Sequence, residues 1–286
     1  MLEKMTVAVI FLLLVWGNIV AGLKAGLACP DWPLCHGQVV PPFRWDIYIE
    51  FSHRLIGAIA SILLIVLSYK RFREYPRLAK LIPILTVALL IFQITLGGIV
   101  VLMKLPVDLT TFHFATALLI FTLTLYLASF DGKIDMPSFS LGNFGWLFFF
   151  LALLISAQAV LGAYVRHTDA GLACPDFPKC LGHWIPPLLR GIVLTHYIHR
   201  SVAYLIFIVI FSIFIYSFID RQLRHFRSKI ILLIILIFLQ ILVGVGVVHS
   251  KLYFGITAIH ISLALLILGT VLYTWFQDMK ESHASQ

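Results

Sequence analysis

The chain has 286 residues, 61% of them hydrophobic and only 12% charged, with a formal net charge of +8 and a mean hydropathy of +1.00. A soluble domain is roughly 45–50% apolar and ~25% charged, so a water-soluble globule is excluded. The basic residues fall in short loops between apolar stretches, so the positive charge sets topology and predicts no nucleic-acid partner.

Eight apolar stretches follow one another, at 5–23, 48–69, 81–103, 107–130, 144–166, 191–219, 229–249 and 253–276. About 20 helical residues cross a hydrocarbon core of ~30 Å. Lipid offers no partner to an open backbone, so the spans are helices. The expected fold is an all-α integral membrane protein with eight transmembrane helices. The first stretch has the position of a signal peptide, but the span at 144–166 is its counterpart well inside the chain. Lys4, Lys70, Arg71, Arg73, Arg77, Lys80, Lys133, Arg221, Arg224, Arg227, Lys229 and Lys280 fall on one side. Lys24, Arg44, Lys104, Arg166, Lys179, Arg190 and Lys251 fall on the other. The richer side is inside by the positive-inside rule, which predicts a multi-pass cell-membrane protein with both termini cytoplasmic.

The chain repeats itself. Gly26-Leu27-Ala28-Cys29-Pro30-Asp31 returns as Gly171-Leu172-Ala173-Cys174-Pro175-Asp176. Cys35 is matched by Cys180, His53-Arg54 by His199-Arg200, Gln93 by Gln240 and His113 by His260. Four spans per half give both halves one orientation, a parallel repeat of two pseudo-symmetric four-helix bundles. The expected division is 1–130, a polar linker at 131–143 on the inner side, and 144–286.

All four cysteines lie in the outer loops. Each pair encloses two prolines, and an oxidising compartment preserves disulfides, so Cys29–Cys35 and Cys174–Cys180 read as bridges. The rival is a zinc site made from these four cysteines with His36 or His183. His167 and His249 stand at span ends and read as interfacial.

His53, His113, His199 and His260 lie within spans. At 1.5 Å per residue, His53 and His113 sit roughly 8–9 Å deep and His199 and His260 roughly 12 Å deep. A polar group at such depth is a functional candidate. Zinc takes four protein ligands, or three and water, and no further donor sits at the right depth in both halves. Haem iron needs only two axial ligands from the protein. The Gly97-Gly98 pair and Gly244 with Gly246 would let a flat ring approach the backbone. Arg54 and Arg200 could pair with haem propionates, or snorkel to the interface. The halves differ at one informative place: Glu50 has His196 as its counterpart. At i and i+3 Glu50 shares a helix face with His53, which suits a proton-transfer group; the other reading pairs it with Arg54 at i+4. His196 competes with His199 as ligand, and the shared His-Arg dipeptide favours His199.

Eight spans in two halves, an outer-loop cysteine pair, Glu50-x-x-His53-Arg54 and four helix-borne histidines together resemble the haem A synthase family. The resemblance covers nearly the whole chain. It implies oxidation of a haem O methyl group to a formyl group, giving haem A for haem-copper oxidases. It implies that His53 and His113 bind substrate haem O, that His199 and His260 hold a resident haem b that relays electrons, and that Glu50 is the catalytic acid. Haem O synthase, an electron-transfer partner and a second copy of the chain are the expected protein partners. The competing reading is a di-haem b-type, quinol-linked electron-transfer protein.

Overall fold

In the computed structural model, residues 1–138 and 141–284 are described, the last two by backbone alone. Phe139 and Ser140 of the linker lie outside the described residues, as do Ser285 and Gln286. Eight helices carry the chain: α1 Leu2–Gly22, α2 Trp45–Glu74, α3 Leu81–Leu102, α4 Val107–Ser129, α5 Gly145–His167, α6 Gly191–Ile219, α7 Arg227–His249 and α8 Phe254–Ala284. Each contains a stretch long and apolar enough to cross a membrane. No named strand occurs among the described residues.

Several helix ends differ from the hydropathy boundaries, for a simple reason. Hydropathy detects the apolar part of a span, whereas the backbone ladder continues into the polar flanks until a residue stops it. α2 therefore begins at Trp45 and runs to Glu74, where Tyr75 adopts an extended conformation ahead of Pro76, as the residue before a proline prefers. The histidine depths change accordingly. His53 stands eight residues beyond Trp45 and His199 eight beyond Gly191, while His113 and His260 stand six beyond Val107 and Phe254. At 1.5 Å per residue, the first pair lies ~12 Å in and the second ~9 Å in. The depths differ between helices and agree between halves.

The chain forms two compact units, Met1–Gly145 with Phe276–Gln286, and Trp146–Trp275. The sequence-based linker thus travels with the first unit, and so does the end of α8. Phe276 packs edge-on against Tyr126 at 5.4 Å, Lys280 pairs with Asp135 at 2.7 Å, and the Phe144 N–H donates to Asp278 at 2.8 Å.

Within the first unit α1 packs on α2 and α4, and α3 packs on α2 and α4. At the end away from the cysteine loops, fully buried Arg71 ties three helices. Its guanidinium donates to Leu127 O (2.8 Å), Glu74 (2.7 Å) and Glu3 (3.0 Å). Within the second unit α6 packs on α7, the Gln158 side chain of α5 donates to His199 O of α6 at 2.8 Å, Gly244 of α7 faces His260 of α8, and Phe149 of α5 meets Trp275 of α8 at 5.7 Å.

Candidate functional site

The two cysteine loops have one construction. Cys29–Cys35 and Cys174–Cys180 are disulfides, each with Cα atoms 4.7 Å apart. The bridged sulfurs offer no thiolate. Among the described residues no group of three or more His, Cys, Asp or Glu side chains is placed to hold a metal ion. The rival zinc reading is therefore set aside. Each loop then turns on a left-handed pair, His36-Gly37 and Leu181-Gly182. An aspartate fastens each turn. Asp31 accepts from the His36 and Gly37 N–H groups at 2.6 and 2.7 Å, and Asp176 from Leu181 and Gly182 at 2.7 and 2.8 Å. The Gly37 and Gly182 N–H bonds in particular hold both carboxyls below the ordinary aspartate range.

Each loop is clamped onto a helix by an arginine. Arg54 donates to the carbonyls of Cys29 (2.9 Å), Asp31 (2.8 Å) and Leu34 (2.6 Å). Arg200 donates to those of Cys174 (2.7 Å), Lys179 (2.9 Å) and Asp176. These guanidinium donors are directed at loop carbonyls.

Glu50 and His196 play one structural part with different charge. Glu50 is 3% exposed; its Oε2 accepts the Cys29 N–H at 2.7 Å and its Oε1 accepts from Arg54 at 2.6 Å. His196 presents Nδ1 to the Cys174 N–H at 3.3 Å and Nε2 to the Arg200 Nε at 3.2 Å; a neutral imidazole has one lone pair and accepts from one of the two. The i+4 pairing of Glu50 with Arg54 is thus the arrangement adopted. His196 is engaged in the loop clamp, while on the same helix His199 has its buried Nδ1 without a partner among the described residues.

The four deep histidines stand two to a unit, His53 on α2 and His113 on α4 in the first, His199 on α6 and His260 on α8 in the second. On all four rings Nδ1 is buried without a hydrogen-bond partner among the described residues. An orphaned buried polar atom is costly, and four in equivalent places mark sites built for something other than internal packing. Each ring also lies against a glycine of the preceding helix: His53 on Gly17, His113 on Gly97, His199 on Gly162 and His260 on Gly244, with 3.0–3.1 Å from an added Cβ to the imidazole Cε1. Gly98 and Gly246 serve differently: a Cβ on Gly98 would meet the Trp32 ring, and one on Gly246 only Ile256. The two imidazoles of each unit, one from each of two helices, match the donor set that a macrocycle-bound iron requires.

Sequence reasoning missed Gly17, Gly162 and Gln158. The available signal was a spacing, Gln-x-x-x-Gly, at Gln93–Gly97, Gln158–Gly162 and Gln240–Gly244.

A family model described as cytochrome oxidase assembly protein (COX15-CtaA) matches residues 2–272. The chain belongs to this family. Similar proteins include one of Halalkalibacterium halodurans, 32% identical over 274 residues and covering 92% of this chain and 91% of the relative. Another, of Bacillus licheniformis, is 30% identical over 283 residues, 94% of this chain and 91% of the relative. A third, of Shouchella clausii, is 32% identical over 240 residues, 79% and 76% of the two chains. Each of the three carries the name Heme A synthase. Membership of the cytochrome oxidase assembly protein family accounts for the membrane-spanning architecture, since the match runs through all eight helices.

Proposed function

We propose that the chain is a haem A synthase: an oxidoreductase of the cell membrane that converts a methyl group of haem O into a formyl group. The observation that carries this reading is the doubled histidine pair, four buried imidazoles with orphaned Nδ1 atoms, each against a helix glycine. The names of the similar proteins supply the product, haem A; oxidation of the haem O methyl group is the reaction proposed for it.

Unit one is the substrate side. His53 and His113 hold the haem O iron, and Glu50 is the proton-transfer group at the end of the site nearest the Cys29–Cys35 loop. Methyl to formyl is a four-electron oxidation that takes up one oxygen atom and releases protons. Among the described residues, the buried carboxylate on the loop side is Glu50, whose place His196 takes in the other unit, so proton traffic is assigned to unit one. To take a proton Glu50 must weaken its bond to Arg54 or to the Cys29 N–H, so proton transfer and loop position are linked. Unit two is the relay side. His199 and His260 hold a resident haem b, which supplies one-electron transfer when bound. There the place of Glu50 is taken by His196, which brings no carboxyl group to exchange protons. Both disulfide loops face outward, and both termini face the cytoplasm.

The test supplies haem O to the protein in a host lacking its own haem A and separates the extracted haems by mass. The alcohol and aldehyde products are expected. Their absence under both oxidising and reducing conditions, with the protein folded, would remove the enzyme reading. The near-identity of the two loop and histidine constructions favours one alternative, a di-haem b electron carrier. That protein would return unmodified haem b from both units.

A further inference from the structure

The four ligand candidates are seated by a rule that runs through the molecule. Even-numbered helices carry the histidine, and the preceding odd-numbered helix carries a glycine under its ring. An added Cβ would stand 3.1 Å from Cε1 of His53, 3.0 Å from His113, 3.1 Å from His199 and 3.1 Å from His260, closer than ordinary van der Waals contact. Glycine weakens a helix interior relative to alanine, so recurrence at four equivalent contacts requires a reason.

One helical turn before the glycine stands a glutamine on three of the four odd helices. Gln93 donates to His113 O at 3.0 Å and its amide nitrogen lies 3.4 Å from the ring. Gln158 donates to His199 O at 2.8 Å. The Gln240 amide nitrogen lies 3.3 Å from His260 Nε2, the nitrogen left to ligate, so α7 offers no tether to the histidine carbonyl like those of Gln93 and Gln158. On α1 the equivalent position is Leu13, four residues before Gly17. A ligating histidine ordinarily fixes its ring by donating from the second nitrogen to a carboxylate, carbonyl or water. Here Nδ1 has no such partner among the described residues on any of the four rings.

We propose that Gln-x-x-x-Gly on α3 and α5 is a positioning element that orients the facing ligand histidine by a glutamine tether to its carbonyl and a steric glycine seat, and that α7 supplies the seat to His260. The orientation normally set by an Nδ1 hydrogen bond is set by contact instead. α1 keeps the seat, Gly17, and lacks the tether, because Leu13 has no amide. His53 is therefore less restrained than the tethered His113 and His199. It lies in the unit that must take in one haem and release another, whereas His199 and His260, both facing glutamine-bearing helices, lie where a haem stays. The inference rests on the haem reading and adds which ligand yields on turnover.

The experiment uses the full-length protein in detergent or nanodiscs. Gly162→Ala and Gly244→Ala are compared with Gly246→Ala, where a Cβ meets only Ile256 Cγ2 at 3.7 Å. The first two are expected to lower haem b per protein at least about twofold or to shift its low-spin absorption and magnetic-resonance signature; Gly246→Ala is expected to match wild type. Gln158→Leu is expected to speed haem b loss to apomyoglobin about tenfold. Leu13→Gln, with the first unit loaded with haem b as probe, is expected to slow loss from that unit. Wild-type spectra and occupancy in both Gly162→Ala and Gly244→Ala would overturn the seat. Unchanged loss rates in Gln158→Leu and Leu13→Gln would overturn the tether. A wild-type protein without a six-coordinate b-type spectrum would instead overturn the haem reading, so the two failures are distinguishable.

Discussion

Glu50 and His196 show how one side chain divides two otherwise matched sites. Both face the first cysteine N–H of their loop and both meet the arginine one turn on. Only Glu50 brings a negative charge and an exchangeable carboxyl proton. Glu50→Gln keeps an acceptor for the Cys29 N–H and loses the charge beside Arg54. We expect product formation to fall about 10²–10⁴-fold, the usual contribution of a positioned acid or base, with haem b content unchanged. Turnover at the wild-type rate would take Glu50 out of the reaction. Asp31 allows a pH prediction with a defined sign. Its folded pKa lies below the ordinary value of 3.8. The loop stabilisation it gives is fully present above pH 3.8 and disappears as pH falls through the lower folded value. The protection of the His36 and Gly37 amides relative to intrinsic exchange at each pH should therefore be constant at neutral pH and fall only in strong acid. Asp31→Asn should show low protection at every pH. The sequence displayed Glu50 and its counterpart plainly; it left open whether the carboxylate faced His53 or Arg54, because i+3 and i+4 neighbours share one side of a helix.

At the scale of elements, the helices are held by a few polar ties set in an apolar background, since lipid gives no hydrophobic drive between helices. Arg71 is the strongest case. It is 1% exposed and serves α1 through Glu3, its own helix through Glu74 and α4 through the Leu127 carbonyl. Arg71→Ala leaves two carboxylates facing an emptied site. It should destabilise the first unit by about 3 kcal/mol, read as a lower midpoint in detergent unfolding. The disulfide loops are a second element-scale feature. Cys174→Ser with Cys180→Ser removes a short ring closure that contributes about 2 kcal/mol in the chain-entropy account. Arg200 still grips three loop carbonyls, so the loop should loosen without detaching, and limited proteolysis near Leu181 should rise severalfold. Hydropathy found the eight helices because a membrane span is a property of composition along one dimension. It misplaced the ends of α2 and α8 because their ladders continue through charged flanks that hydropathy penalises and helix formation does not.

For the whole molecule, the repeat makes two units of common design and the proposed chemistry makes them unequal. His199→Ala or His260→Ala should strip or spin-shift the resident haem, while His53→Ala and His113→Ala should leave it and stop product formation. Equal loss of haem b from all four variants would dissolve the assignment of roles. Orientation has its own test: a cysteine at exposed Leu188 (51% exposed) should react with a membrane-impermeant maleimide in intact cells, and one at Leu78 (81% exposed) only after lysis. The reverse pattern would invert the topology. By itself the sequence determined the membrane class, the eight helices, the duplication, the disulfide partners and the four deep histidines. Each of these is written in composition or in spacing along the chain. Only the tertiary structure decided which glycine lies under which imidazole, that Arg54 and Arg200 clamp loops, and that the end of α8 returns to the first unit. Those outcomes depend on the rotation of one helix against the next and on the path of a loop, and neither is fixed by local spacing.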